Sequence, residues 1–249
     1  MAKTRLDQLM ATRRLVGTRS EADNWIKLGK VFVNGKPALK AGLFVDSEAA
    51  VELRTEERYV SRAGLKLASV AKSFGLDFAD KIVLDVGSST GGFTDYALQH
   101  GAKRVYAVDV GTEQLHPSLR KNPKIRLHEK TDIRDFTLRE TPNIVVIDVS
   151  FISLRDILPH IALELVGPGT QIAAMVKPQF EAGRKDVNKG IIKNGTVRRR
   201  ILGDFERWAQ DYFVVRAKAD SAVKGAGGNE ERFYLLERRR SFVAVADHR

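Results

Sequence analysis

The sequence predicts an α/β fold, a mostly parallel sheet covered by helices on both faces, preceded by a small α+β unit. Three observations predict it. From about residue 61 onward, short apolar segments alternate with helical patterns at the spacing of strand–helix–strand units. Several of those segments end on an acid, as in VLDVG, YAVDVG and VVIDVS. Nine lysines and arginines crowd residues 1–40 against only Asp7, Glu21 and Asp23, so more than half of the net charge of +11 lies in the first sixth of the chain.

The opening segment has its own pattern. Thr4 precedes a helical stretch with Leu6, Leu9 and Met10 on one face. Thr18 and Glu21 have capping-box spacing ahead of Ala22, Trp25 and Ile26, and Gly29 closes that helix. VFVNGKP, residues 31–37, reads as a strand and an Asn-Gly turn, and Val51 to Leu53 as a second strand. Residues 1–53 form one unit on this reading, the charged RTEERYV segment (54–60) is a linker, and 61–249 is the second domain. In the latter, SRAGLKLASVAKSF is helical, KIVLDV a strand, GGFTDYALQH a helix, and RVYAVDV, KIRLHE and NIVVIDVSF strands. LRDILPHIALEL is a helix and QIAAMVKP a strand; FVVRAKAD and RFYLLERR form an antiparallel edge hairpin, for seven strands in all.

Composition limits the function classes. There is no cysteine, and the five histidines lack metal-ligand spacing, so neither disulfides nor a metal site is expected. The polar start MAKTRLDQLM and the lack of a long apolar run point to a cytoplasmic protein without a membrane role. The basic excess points to a polyanionic partner, and a helix pair presenting Arg13, Arg14, Arg19, Lys27 and Lys30 suits a phosphate backbone; the alternative is a merely solvated basic face.

The loop VLDVGSSTGGF departs from a dinucleotide fingerprint, because Ser88 stands where a second glycine is needed for the pyrophosphate. An acid such as Asp85 beside the loop disfavours a phosphate and suits a sulfonium cation with an amino acid tail, so S-adenosylmethionine is the expected cofactor. A nicotinamide dinucleotide and a purely structural loop are the alternatives. Gly87, Ser88 and Gly91 are expected near the tail, with Asp85, Gly92 and Phe93 completing the loop; Asp109 is expected at the ribose and Asp132 on the adenine side. Lys66, Asp148, Lys177 and Glu231 fall mostly at or near strand ends, where one cleft can gather them. Singly, each also reads as a surface charge or a strand terminus. The basic run GRKDVNKGIIKNGTVRRR (183–200) is a candidate RNA clamp or a solvated loop and helix start.

Two resemblances sharpen this reading. Arg5-Leu6-Asp7 with Leu9, and GKVFVNG at 29–35, resemble the alpha-L RNA-binding module of the ribosomal protein S-four type, which adds Arg5 to the expected RNA contacts; Arg62, in SRAGLKL, is placed with them. The order of SRAGLKL, LDVGSSTGGFTD, VDVG, DVSFISL, VKPQFE and GGNEERFYLL over residues 3–240 is similar to the hemolysin A (TlyA) rRNA methyltransferases. That resemblance implies a Rossmann-like, FtsJ-like methyltransferase domain, a catalytic tetrad of Lys66, Asp148, Lys177 and Glu231, and 2′-O-methylation of cytidine in 23S ribosomal RNA, 16S ribosomal RNA or both. Its partners are then ribosomal RNA or ribosomal subunits. Lys177 is the candidate for contact with the ribose hydroxyl, and Glu231, next to Glu230, is the acid that the flanking Asn229 and Phe233 favour. A non-catalytic RNA-binding assembly factor and a haemolytic membrane-acting protein are the competing functions.

Overall fold

The computed structural model describes residues 3–27, 29–54, 59–183, 186–187 and 190–239, and the chain divides into two compact units, 1–58 and 59–249. Residues 55–58 of the expected linker lie outside the described residues. Tyr59, also expected in the linker, is instead a core residue of the second unit.

The first unit contains β1 (Lys3–Arg5), α1 (Leu6–Thr12), α2 (Arg19–Lys27), β2 (Val31–Val33), β3 (Lys36–Pro37), β4 (Phe44–Asp46) and β5 (Val51–Leu53). Leu6, Met10, Ala22, Ile26 and Val31 are fully buried in its core. Thr18 caps α2 by accepting from Glu21 N (3.1 Å), and Glu21 reaches back to Gly17 N (2.8 Å), the reciprocal logic of a capping box displaced by one residue. Asn34 and Gly35 both take positive φ, 49° and 76°, as a tight hairpin turn between β2 and β3 requires. Thr4, expected ahead of a helix, lies within β1 and pairs with Val45 of β4.

The second unit is built on a seven-stranded sheet. Its strands are β6 (Ile82–Val86), β7 (Arg104–Val108), β8 (Ile125–His128), β9 (Ile144–Ile147), β10 (Gln171–Val176), β11 (Phe213–Asp220) and β12 (Arg232–Arg238), in the order β11-β12-β10-β9-β6-β7-β8. Strands β6 to β10 are parallel, and β12 runs against both β10 and β11. The expected edge hairpin is therefore half interior. Phe233 to Leu236 are buried in succession, as a strand covered on both faces demands, whereas in β11, at the margin, only Phe213 is buried. Helices α3 (Arg62–Ala71), α4 (Gly92–Gln99), α5 (Pro117–Arg120), α6 (Leu154–His160), α7 (Pro178–Glu181) and α8 (Gly195–Ala209) complete the unit. The helix expected through residue 165 widens into a π-helical turn at Ile161–Leu165, two residues past Pro159, which has no N–H to donate to the ladder.

Candidate active site

The chain runs from β6 to β7 and β8 on one side of the sheet and then to β9 and β10 on the other. The strand order thus reverses between β6 and β9, where the carboxyl ends of strands leave a crevice. Gly87, just past β6, sits at that reversal with φ 81°, and a Cβ there would lie 2.7 Å from the Asp148 carbonyl oxygen. No larger residue fits. A cleft of about 340 Å³ opens beside it, lined by Gly87, Asp109, Asp132, Ile133, Asp148 and Phe151 among others. A smaller cavity of about 150 Å³ is lined by Asp85, Ser88, Phe93, Asp148, Ser150 and Lys177. Gly87, Ser89, Asp148 and Ser150 line both.

Asp85 is fully buried near the end of β6. Thr94 Oγ1 donates to its Oδ2 at 2.6 Å, while Oδ1 has no hydrogen-bond partner among the described residues. Burial pushes its pKa up to about 7; the Thr94 bond opposes the rise, and the nearby Asp148 and Asp109 charges add to it. The Ser88 hydroxyl is likewise buried without a partner. Partnerless polar atoms facing a cavity are costly unless a ligand satisfies them. Asp109 accepts from Ser89 N (2.8 Å) and Gly111 N (2.7 Å), which fixes its carboxylate at the cleft wall. Asp132 is gripped by Arg134 through Nε (3.0 Å) and Nη2 (2.6 Å), bonds that hold its carboxyl below the ordinary range.

Removing the buried charge at Asp85 has an expected consequence for stability. The unfolded chain loses this proton near pH 4, whereas the folded protein keeps it to about 7, so stability declines as pH rises through that interval. In the absence of ligand, Asp85→Asn is expected to raise the melting temperature at pH 8, with an upper limit of about 4 kcal/mol, and to change it little at pH 4. Melting curves at the two pH values check this; an equal change at both would contradict the buried-charge explanation.

The other expected loop residues separate by role. Phe93 is buried and lines the smaller cavity. Gly91 and Gly92 line neither cavity: a Cβ on Gly91 would lie 2.6 Å from Leu119, and one on Gly92 would strike Ser61 and Ala63. Their small size packs α4 against its neighbours.

Four charged groups form two ion pairs at the same end of the sheet. Lys66 Nζ, on α3, donates to Glu231 Oε2 at 2.6 Å, with side chains 12% and 2% exposed. Lys177 Nζ lies 2.6 Å from Asp148 Oδ1 and donates to Ser150 Oγ at 2.8 Å. The β10–β12 register pairs Val176 with Arg232, so one step further sets Lys177 opposite Glu231. Lys177 and Asp148 line the smaller cavity, and Lys66 and Glu231 line neither cavity. Of the two adjacent acids, Glu230 is exposed and pairs with Lys224, while Glu231 is buried.

The sequence reading singled out neither Ser150 nor Phe151. Phe151 is 91% exposed at the cleft with φ 67°, a left-handed conformation that is unusual for an aromatic residue, and its ring lies 5.3 Å from that of Phe180. Its signal was available: a lone aromatic three residues after a strand-terminating acid, in DVSF.

The expected RNA contacts divide by their internal partners. Arg5 donates to both oxygens of buried Asp7 (3.0 and 2.9 Å) and Arg19 to one (3.2 Å), and these bonds, that of Arg5 foremost, lower the Asp7 pKa to about 2. Arg13 binds the Ala49 and Ser47 carbonyls, and Lys27 pairs with Asp23. Arg14, Lys30 and Arg62 form no ion pair among the described residues. In the 183–200 run, residues 184, 185, 188 and 189 lie outside the described residues; Arg198 pairs with Asp220 and Arg200 with Asp186. Among the described residues, no helix is long and apolar enough to cross a membrane, and no His/Asp/Glu group is arranged to hold a metal.

A sheet of this order with one reversed strand, and an acid-flanked glycine loop at its switch point, define a Rossmann-like methyltransferase. Residues 59–238 match the FtsJ-like methyltransferase family and residues 4–51 match the S4 domain. The chain belongs to the FtsJ-like methyltransferases and carries an S4 domain at its N-terminal end. It is 43% identical to YqxC of Bacillus subtilis over 237 residues, 92% of this chain and 84% of that one. It is 37% identical to the 16S/23S rRNA (cytidine-2′-O)-methyltransferase TlyA of Mycobacterium tuberculosis over 245 residues, 94% and 90% of the two chains. A solved structure from Streptococcus thermophilus ("Putative hemolysin") superposes with TM-score 0.75 at 40% identity, covering 97% of this chain and 90% of that one.

Proposed function

We propose that this chain transfers the methyl group of S-adenosylmethionine to the ribose 2′-hydroxyl of cytidine in ribosomal RNA. The observation that carries the reading is the Lys177–Asp148 pair lining a cavity that Asp85, with its partnerless oxygen, also lines. The residues present fit the cofactor. The open Asp85 oxygen accepts from the ammonium of an amino acid tail, and Ser88 satisfies its own hydroxyl on the same tail. Asp109 faces the ribose and Asp132 the adenine side of the larger cleft. Gly87 keeps the crevice open. A pyrophosphate is disfavoured beside a carboxylate, which separates this site from a dinucleotide site. When bound, S-adenosylmethionine supplies a methyl group already activated by its sulfonium.

The chain's own residues then hold the acceptor. Lys177 contacts the ribose 2′-oxygen and Asp148 holds its amine, so that the oxygen is placed for in-line approach; as the O–C bond forms and the S–C bond breaks, the hydroxyl proton would pass to the Lys177–Asp148 pair and on to solvent. The Lys66–Glu231 pair closes the far side of Lys177 through the β10–β12 register. Phe151 offers an exposed ring on which an unstacked base can rest, the usual aromatic mode for single-stranded RNA.

The similarity to the M. tuberculosis TlyA enzyme supports cytidine in ribosomal RNA as the target, and the S4 domain supports RNA as the partner. A cytoplasmic location follows from that substrate. Calorimetric titration with S-adenosylmethionine separates this reading from a non-catalytic assembly factor. Binding is expected, and its absence even with ribosomal RNA present would sink the enzyme reading. Lysis of erythrocytes by the purified protein without cofactor would instead favour the haemolytic reading.

Arg14 and Lys30, cations without a partner among the described residues, are assigned to phosphate contacts. The double variant Arg14→Ala/Lys30→Ala is expected to weaken ribosomal RNA binding and to flatten the slope of log affinity against log salt by about two. An unchanged slope in filter binding across a salt series would remove these residues from the interface.

A further inference from the structure

We propose that Ser150 is a positioning residue for methyl transfer: its hydroxyl accepts the hydrogen bond that aims the Lys177 amine, Asp148 holds that amine by charge at 2.6 Å without hydrogen-bond geometry, and a free direction is left for the ribose oxygen. The inference rests on the assignment of Lys177 to the 2′-hydroxyl and deepens it. A primary amine is tetrahedral about nitrogen, so beyond its carbon it has three directions, whether as ammonium or as free amine with one lone pair. A flexible four-carbon stem rotates those directions freely. One anchored partner removes only part of that freedom. Asp148 at 2.6 Å and Ser150 Oγ at 2.8 Å are two different anchors, from positions 148 and 150 of a single loop.

That loop is held to the segment carrying Lys177 at three successive points. Lys177 bonds Ser150, the Phe180 ring packs on Phe151 at 5.3 Å, and Glu181 accepts from Ser153 Oγ at 2.6 Å and from Leu154 N at 2.7 Å. Glu181 is deeply buried, and burial pushes its pKa up against those two bonds. The exits of β9 and β10 therefore move as one body, and Ser150 presents a fixed oxygen to Lys177 rather than a drifting one. Ser150 also lines both the larger cleft and the smaller cavity, so its hydroxyl stands at their junction. The residue itself is exposed and has no part in the hydrophobic core.

The test compares Ser150→Ala and Ser150→Thr with wild type in single-turnover methyl transfer to ribosomal RNA, at saturating protein and cofactor, beside calorimetric cofactor affinity. Ser150→Ala is expected to slow the transfer step about tenfold or more, the loss of one charge-assisted hydrogen bond, with the cofactor Kd within about twofold. Ser150→Thr, which restores the hydroxyl, is expected to return the rate to within about threefold of wild type. A merely structural role would move melting temperature or affinity and would not be rescued by threonine. A Ser150→Ala rate near wild type, or a loss confined to cofactor affinity, overturns the proposal. Lys177→Ala in the same assay keeps the two levels apart. If it is slow while Ser150→Ala is not, only the role of Ser150 falls; if it proceeds at the wild-type rate, the assignment of Lys177 falls with it.

Discussion

Lys177→Ala is expected to slow single-turnover methyl transfer by roughly 10²- to 10⁴-fold, the range over which a positioned proton-handling side chain contributes, while cofactor affinity stays near wild type. The reason is geometric. Lys177 lies one residue past β10, lines the cavity with Asp85 and Asp148, and is only 10% exposed. The truncation removes the group that faces the ribose oxygen and leaves Asp148 without its cation. Asp85 and Ser88, which are assigned to the cofactor tail, keep their places on β6 and in its loop. A fall in transfer rate with unchanged Kd locates the effect at the reacting oxygen. A variant that transfers methyl at the normal rate would show that Lys177 is only the cap of a strand.

The second large effect is on stability. Lys66→Met leaves the Glu231 carboxylate, 2% exposed, without the ammonium that compensates its burial. Breaking one side of a buried ion pair costs about 3–5 kcal/mol, and for a unit of this size that lowers the melting temperature by on the order of 10 °C. The matched variant Lys66→Met/Glu231→Leu replaces both partners by apolar groups and is expected to recover much of that loss without recovering methyl transfer. Thermal unfolding and single-turnover rates on the two variants separate folding from function. If the double variant regains stability and full activity together, the Lys66–Glu231 pair has no part in the reaction.

Much of the second unit is legible because its physics is local. A strand covered on both faces must be apolar throughout, so VVI in β9 and FYLL in β12 announce themselves. The acids closing β7 and β9 stand at positions where any ligand of such a sheet must pass. The first unit is less legible. Strands β1, β3 and β4 have two or three residues each and expose much of their surface, so neither alternation nor an apolar run marks them, and Thr4 looks like a helix cap. The Asp7 network shows a second limit. Charge counting treats Arg5 and Arg19 as available to phosphate, but a buried aspartate twelve residues away from Arg19 in sequence claims both.

The glycine loop shows a third limit. GSSTGGF suggests that every glycine serves the ligand, yet Gly87 alone lines the cleft, while Gly91 and Gly92 admit Leu119 and the start of α3. Side-chain packing from segments distant in sequence decides which glycine does what. Ser150 and Phe151 were hidden for the opposite reason. A serine and a phenylalanine have no chemistry that demands notice until the fold puts one 2.8 Å from Lys177 and leaves the other bare at the cleft.

Nucleoside analysis of ribosomal RNA from cells with and without the gene tests the central claim most directly. The account predicts 2′-O-methylcytidine at one or more positions in ribosomal RNA from cells with the gene, lost without it and restored by the wild-type protein but not by Lys177→Ala. Identical 2′-O-methylation in both strains, or a lost methyl group that proves to be on a base, would contradict it.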